Sequence, residues 1–185
     1  MIRRILQNRT YRFLIIFLSL FCFLYYFNII FIGLVAPGGY YTPFLAQYLN
    51  YIEGLRYALM QSSASIVRAL GEQVFTTELW MRVTGRGGFI MAYDCLGFGI
   101  MSFFTAFVVA FPKPLKTKFW FLPAGLLLIQ SLNIIRFVLL GLYWKQSGLK
   151  AVIDHHDLFN IILYIILMIV LYFWVNSNQP KNNES

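Results

Sequence analysis

Four long runs of apolar residues constrain the fold of this 185-residue chain more than any other feature. A helix that crosses a bilayer needs about 20 mostly apolar residues, because the hydrocarbon core is about 30 Å thick. Residues 13–35 form such a run without a charge, and residues 119–144 form one whose only charge is Arg136. Residues 95–111 and 156–175 are shorter runs, which local thinning of the bilayer or interfacial anchors accommodate. The runs predict an all-α integral membrane protein with about four transmembrane helices.

The composition agrees with a membrane protein and excludes an ordinary soluble domain. The chain is 59% hydrophobic and only 12% charged, whereas about 25% of the residues in soluble domains are charged. The net charge of +8 indicates topology rather than nucleic-acid binding, since basic residues flank the runs. We therefore expect the lipid bilayer as a partner and no nucleic acid. Residues 176–185 are polar and predicted to be a disordered cytoplasmic tail.

Two basic clusters set the predicted orientation. Lys and Arg close to the ends of transmembrane helices stay in the cytoplasm, so an even number of spans should separate the clusters. A four-span chain with both termini in the cytoplasm satisfies this rule and places residues 37–94 outside. The first run is interpreted as a retained anchor, because it is longer than the 7–15 apolar residues of a signal peptide. The clusters are Arg3, Arg4, Arg9 and Arg12, and then Lys113, Lys116 and Lys118.

The external segment, residues 37–94, is predicted to contain an interfacial amphipathic helix and a short β-hairpin before the second span. The helix falls within residues 41–70, with Arg56 and Arg68 extending toward the water. A fifth span at 41–70 is the alternative, but it would place the lysine cluster outside. The glycines of TGRGG, within a β-branched and aromatic stretch, predict the hairpin turn. The predicted apolar face of the helix consists of Leu55, Leu59, Ile66 and Leu70.

Three chemically active groups are predicted to lie at one depth near the outer surface. Cys95 begins the second span, and His155 and His156 begin the fourth from the same side. Arg136 lies eight residues before Trp144, which corresponds to roughly 12 Å below the outer helix end. A charge inside a bilayer costs about 2.5–3.5 kcal/mol on insertion scales. We therefore expect Arg136 to face a polar site shared with Cys95 and a histidine.

These side chains suit nucleophilic acyl transfer. A cysteine at a helix N-terminus favours the thiolate, because the helix dipole is positive there. A thiolate attacks a peptide carbonyl to give an acyl-enzyme, and a histidine protonates the leaving amine. An arginine directed at the oxyanion stabilises the tetrahedral intermediate, a contact worth about 2.7–4 kcal/mol where one donor has been removed.

Each residue also has a structural interpretation. Cys95 is compatible with a buried structural thiol, and Cys22 with a small apolar residue in a span at a different depth, so the two are not predicted to pair. Arg136 is compatible with pairing to an acid. Asp94 is predicted to N-cap the second helix, and as an anion it would oppose the thiolate. No metal or cofactor is predicted, since His155 and its neighbour point to different helix faces.

Three sequence blocks resemble, in order and spacing, the signature blocks of the exosortase/archaeosortase family. They are YDCLGFG around Cys95, NIIRFVLLGLYW around Arg136 and DHHDLFNIILY around the histidine pair. The resemblance covers roughly residues 50–175. One departure is visible: the family's cysteine is commonly followed by Ser-Gly, and here Leu96-Gly97 follows. This departure argues against a role for a serine hydroxyl next to the nucleophile, but it leaves Cys95 as the nucleophile.

The resemblance implies a compact membrane cysteine transpeptidase or protease. Members act on proteins with a C-terminal tail made of a short motif, a transmembrane helix and a basic cluster. By this resemblance Cys95, Arg136 and His156 are the catalytic residues, in the inner membrane of a bacterium with the site facing outward. His156 is preferred over His155 because Asn160 lies on the same helix face, one turn later.

Asn133, one turn before Arg136, is predicted to orient the arginine or the substrate carbonyl. Two alternatives to an enzyme remain. The first is a non-catalytic multi-pass subunit of an export or polysaccharide-assembly complex, in which Arg136 would pair with an acid of a partner helix. The second is a small transporter, but the inverted repeats that would support it are not visible in the sequence.

Overall fold

The computed structural model describes residues 8–36, 40, 42–77, 79–143 and 155–177. The chain divides into two compact units, Met1–Lys145 and Gln146–Ser185. The predicted tail lies almost wholly outside the described residues. The elements of the first unit are helices α1 (Arg9–Val35), α2 (Pro43–Tyr48) and α3 (Tyr51–Ala69), strands β1 (Val74–Thr76), β2 (Trp80–Val83) and β3 (Gly87–Ile90), a 3-10 turn (Tyr93–Leu96), and helices α4 (Phe98–Ala110) and α5 (Leu115–Tyr143). The second unit contains helix α6 (His155–Asn176).

The prediction of an all-α membrane fold with four spans is confirmed. In the described part of the chain, four helical segments are long and apolar enough to cross a bilayer. Their bounds are Arg9–Val35, Tyr93–Ala110, Leu115–Tyr143 and Phe159–Asn176. The third span begins four residues before the predicted start, so Lys116 and Lys118 lie in its first turn rather than in the preceding loop.

Aromatic side chains hold α1 against α4. Phe17 meets Phe103 edge to face, with the ring centroids 5.4 Å apart. Phe13 meets Phe107 in the same way at 5.6 Å. Such edge-to-face pairs contribute about 0.5–1.5 kcal/mol beyond the area they bury, so this ladder fixes the relative height of the first two spans.

A polar junction at Asn28 joins three helices. Tyr51 of α3 donates its hydroxyl hydrogen to Asn28 Oδ1 at 2.8 Å. Asn28 Nδ2 lies 3.3 Å from Ser102 Oγ of α4. Polar groups at membrane depth must find partners within the protein, so this junction ties the start of α3 to the first two spans.

Helix α3 is the predicted amphipathic helix, but its buried face differs from the prediction. Leu59 is buried as predicted, whereas Ile66 and Leu70 are exposed. Arg56 is buried and forms an ion pair with Glu53 instead of extending toward the water. The buried face is rotated about the helix axis from the predicted one, because α5 and β1 pack against α3. These tertiary contacts outweigh the weak apolar stripe that residue spacing alone predicts. The face consists of Ile52, Arg56, Leu59, Met60, Ser63, Ala64 and Val67.

The predicted β-hairpin is present as part of a three-stranded antiparallel sheet in the order β1-β2-β3. Trp80 pairs with Ile90, and Val83 pairs with Gly87 across the turn at 84–86. Strand β1 adds a third strand that was not predicted, with Val74 opposite Val83. The sheet returns the chain to the start of the second span.

The sheet also anchors the end of α5. Phe89 of β3 stacks on Phe137, with the ring planes 9° apart and the centroids 5.6 Å apart. Arg86 Nη1 donates to the Leu142 carbonyl oxygen at 2.8 Å, and its guanidinium pairs with Glu72 at 2.7 Å. A cation on the last carbonyls of a helix is favourable. These contacts fix the part of α5 that carries Arg136.

Replacing Gly125 by alanine should damage the packing of α4 against α5. A Cβ atom at this position would lie 2.0 Å from Cζ of Phe104, whose side chain is fully buried. We expect a loss of about 3 kcal/mol, the upper end for an overpacked core. The measurement is thermal unfolding in a neutral detergent.

Two further variants control this experiment. Gly54→Ala introduces a Cβ with nothing within 4 Å and should raise the stability by about 0.5–1 kcal/mol through helix propensity. Phe104→Leu removes the ring atoms that overlap, so the double variant Phe104→Leu/Gly125→Ala should recover part of the loss. An unchanged Tm for Gly125→Ala would show that α4 and α5 are not packed as described.

Candidate functional site

Cys95 lies in a tight 3-10 turn between the sheet and α4. Its backbone N–H donates to the Ala92 carbonyl oxygen at 3.0 Å. Gly97 follows in a left-handed conformation with φ of 78° and is the N-cap of α4. The cysteine therefore lies in the 3-10 turn before the α-helix and does not begin the helix, which starts at Phe98.

The predicted capping role of Asp94 is wrong. Gly97 occupies the N-cap position of α4, and no side-chain cap hydrogen bond is present there. Asp94 lies in the 3-10 turn and is exposed. The left-handed residue between the turn and the helix separates Asp94 from the N–H groups that it would cap.

A stripe of three polar residues on α5 meets the cysteine turn. Gln130, Asn133 and Arg136 are spaced three residues apart, which places them along one helix face. Gln130 Nε2 donates to the Leu96 carbonyl oxygen at 3.3 Å, and its Oε1 accepts from Asn133 Nδ2 at 3.2 Å. Gln130 was not singled out from the sequence, although its spacing from Asn133 and Arg136 is a usable signal.

Arg136 and Cys95 are brought together, as predicted. The Arg136 Nη2 atom lies 4.0 Å from the Cys95 Sγ atom. Both residues are 4% exposed, and Cys95 belongs to a core that also includes Met91, Leu96 and Phe137. Charge interactions are stronger in such surroundings than in water. The guanidinium is therefore placed to stabilise negative charge on the sulfur or on a group bonded to it.

A second buried arginine lies beside the cysteine turn. The Arg56 guanidinium carbon is 5.2 Å from the centre of the Tyr93 ring, and Arg56 pairs with Glu53. The Tyr93 hydroxyl lies 3.4 Å from Glu53 Oε1. This cluster joins α3 to the turn that holds Cys95. Arg56 was predicted to extend toward the water, so its contribution to this cluster was missed.

The predicted histidines are on α6, in the second unit. The helix begins at His155, but the side chains of both His155 and His156 lie outside the described part of the structure. The backbone places Asn160 one turn after position 156 and on the same face. In the described ranges, no group of three His, Cys, Asp or Glu residues is arranged to hold a metal ion.

Replacing Gly97 by alanine should disturb the turn in two ways. A positive φ costs an alanine about 1–2 kcal/mol. Its Cβ would also lie 2.7 Å from Asn133 Nδ2, and Asn133 is buried. We expect a lower Tm in detergent than that of Gly71→Ala. Gly71 also has a positive φ, of 89°, but a Cβ there would have nothing within 4 Å.

The double variant Gly97→Ala/Asn133→Ala isolates the second effect. Removing the amide eliminates the overlap, so the two substitutions should be less than additive by about 1 kcal/mol or more. Equal Tm values for Gly97→Ala and Gly71→Ala would contradict the described contact between the turn and α5.

The fold and this site define a class of protein: a multi-pass membrane protein with a buried thiol and a buried guanidinium supplied by two different spans. A family model described as transmembrane exosortase matches residues 10–174. The chain belongs to the transmembrane exosortase family. No curated protein and no solved structure gives a significant match. The family membership supports a role as a membrane transpeptidase or protease that acts on protein substrates in the bilayer.

Proposed function

We propose that this exosortase is a membrane-embedded cysteine transpeptidase or protease with Cys95 as its nucleophile. The observation that carries the proposal is the 4.0 Å contact between Arg136 Nη2 and Cys95 Sγ. A cation beside a cysteine favours the thiolate, which is the nucleophile in catalysis by cysteine. A buried structural cysteine has no need of a charged neighbour.

In the first half-reaction the Cys95 thiolate attacks the carbonyl carbon of the scissile peptide bond. An S–C bond forms, and the carbonyl electrons move to oxygen, where the Arg136 guanidinium stabilises the negative charge. The intermediate collapses, the C–N bond breaks, and His156 gives its proton to the leaving amine. The products are a thioester on Cys95 and a released C-terminal tail.

In the second half-reaction an acceptor restores the thiolate. Water or an amine attacks the thioester carbonyl, His156 accepts the proton of that nucleophile, and the S–C bond breaks. Water gives hydrolysis, whereas an amine gives transfer of the exported protein to an acceptor. The same residues serve both outcomes.

The proposed substrates are exported proteins that carry a short motif, a transmembrane helix and a basic cluster at the C-terminus. The cleaved bond of such a protein lies at the end of its span, and Arg136 lies seven residues before the described end of α5 at Tyr143, or about 10 Å along the helix. The basic residues at the opposite ends of the spans favour a cytoplasmic N-terminus. We therefore propose that the site faces the outer side of a bacterial inner membrane.

A thiol-directed reagent distinguishes this enzyme from a non-catalytic subunit. Cells that express the Cys95→Ala variant should accumulate an uncleaved tail-bearing membrane protein, which identifies the native substrate. Alkylation of the Cys22→Ala variant, whose single remaining thiol is Cys95, should then block cleavage of that substrate. Full cleavage after complete alkylation of Cys95 would support the non-catalytic interpretation and exclude the proposal.

Two single variants test the choice of histidine. We propose that His156, which shares a helix face with Asn160, acts in the reaction. His156→Ala should abolish cleavage of the native substrate, whereas His155→Ala should only weaken it, at equal protein levels. An inactive His155→Ala variant with an active His156→Ala variant would move the assignment by one residue.

A further inference from the structure

We propose that the opposite end of the first unit from Cys95 binds an anionic phospholipid. The site consists of two adjoining cavities at the junction of α1, α4 and α5. This inference is independent of the proposed reaction, because none of its residues belongs to the cysteine site.

The first cavity fits a phosphate headgroup. It has a volume of about 340 Å³ and is bordered by the cationic side chains of Arg9, Arg12 and Lys118. Lys118 Nζ donates to the Val109 carbonyl oxygen at 2.6 Å, which holds one of the three cations in place and leaves its other hydrogens for a ligand. Arginine and lysine are the side chains that bind phosphate best in proteins.

The second cavity fits an acyl chain. It has a volume of about 570 Å³, and its apolar wall includes Leu115, Phe119 and Leu122. The two cavities share Val109 and Lys118. A single lipid could therefore place its headgroup in the first cavity and an acyl chain in the second.

Charge complementarity decides the sign of the headgroup. Among the described residues that line the two cavities, none carries a carboxylate. A zwitterionic lipid would find no partner for its ammonium group there, whereas a lipid with net negative charge would meet four cations, Arg9, Arg12, Lys116 and Lys118. Basic clusters at the ends of membrane spans attract anionic lipids for the same reason.

Native mass spectrometry of the intact protein in a neutral detergent tests the proposal, with phosphatidylglycerol and phosphatidylcholine as the two probes. Phosphatidylglycerol should bind more tightly. Each basic side chain near an anionic surface contributes about 5-fold in affinity. The double variant Arg12→Gln/Lys118→Gln should therefore bind phosphatidylglycerol about 25-fold more weakly.

The matched control is Arg68→Gln/Arg82→Gln, which removes the same charge at two exposed positions in other elements. Its affinity should stay within about 2-fold of wild type, since these charges lie outside the cavities. Equal binding of the two lipids, or an equal loss in the control, would overturn the proposal. Displacement of the lipid by excess inorganic phosphate would also overturn it, because the site would then be one for a free anion.

Discussion

Cleavage of the native substrate should fall at least about 1,000-fold when Cys95 is replaced by alanine, because the variant cannot form the thioester. Cys95→Ser should also lose activity, since a serine hydroxyl ionises far less readily than a thiol and is a weaker nucleophile. The measurement is the rate at which the tail-bearing substrate is converted to its processed form, at equal protein levels.

Cys22 provides the matched control, because it is the other cysteine of the chain and lies exposed on α1. Cys22→Ala should process the substrate at the wild-type rate. If Cys95→Ala retained processing, the thiol would have a structural role and the catalytic assignment would be wrong.

Arg136→Lys should reduce turnover by at least about 100-fold, the lower end of the effect for losing an oxyanion donor. Lysine keeps the positive charge, but it lacks the planar fork of donors that the guanidinium presents. A lysine has a single ammonium group, so we do not expect it to contact the oxyanion and the Cys95 sulfur at the same time. Steady-state cleavage of the native substrate measures the effect.

Arg68→Lys is the control for this second substitution. Arg68 lies in the last turn of α3 and is exposed, so the exchange should leave cleavage and expression unchanged. Near-normal processing by Arg136→Lys would reduce Arg136 to a structural charge and remove the oxyanion role.

The membrane spans were predictable because their signal is strong and local. A run such as residues 13–35 satisfies the length and apolarity that a bilayer demands, whatever the rest of the chain does. Arg136 was equally conspicuous, since a charge within such a run requires a reason. Its proximity to Cys95 was predicted by counting residues, because the second span begins on the side of the membrane where the third span ends.

The buried face of α3 was not predictable from spacing. Ile66 and Leu70 have the apolar character of core residues, yet they are exposed because α5 and β1 cover a different face. The reverse holds for Arg56, which is buried because Glu53 and Tyr93 provide its partners. Pairing of this kind depends on tertiary packing, and a single helix shows no sign of it.

The details of the cysteine turn were also beyond the sequence. Asp94 has the residue type of an N-cap, but the left-handed Gly97 takes that position. The α5 stripe was seen only in part, because Asn133 was recognised and Gln130 was not. An amide in an apolar run indicates a functional site less clearly than a charge does. Gln130 was therefore overlooked, yet it donates a hydrogen bond to the Leu96 carbonyl oxygen beside the cysteine.

The proposed thioester on Cys95 can be measured directly. The purified protein in lipid nanodiscs would be mixed with its native substrate, quenched with acid within the first turnover, and digested for mass spectrometry. We expect an adduct on the peptide containing Cys95 that equals the mass of the acyl fragment and disappears on treatment with hydroxylamine. Tail cleavage with no such adduct, and undiminished in Cys95→Ala, would contradict the role of Cys95 as the nucleophile.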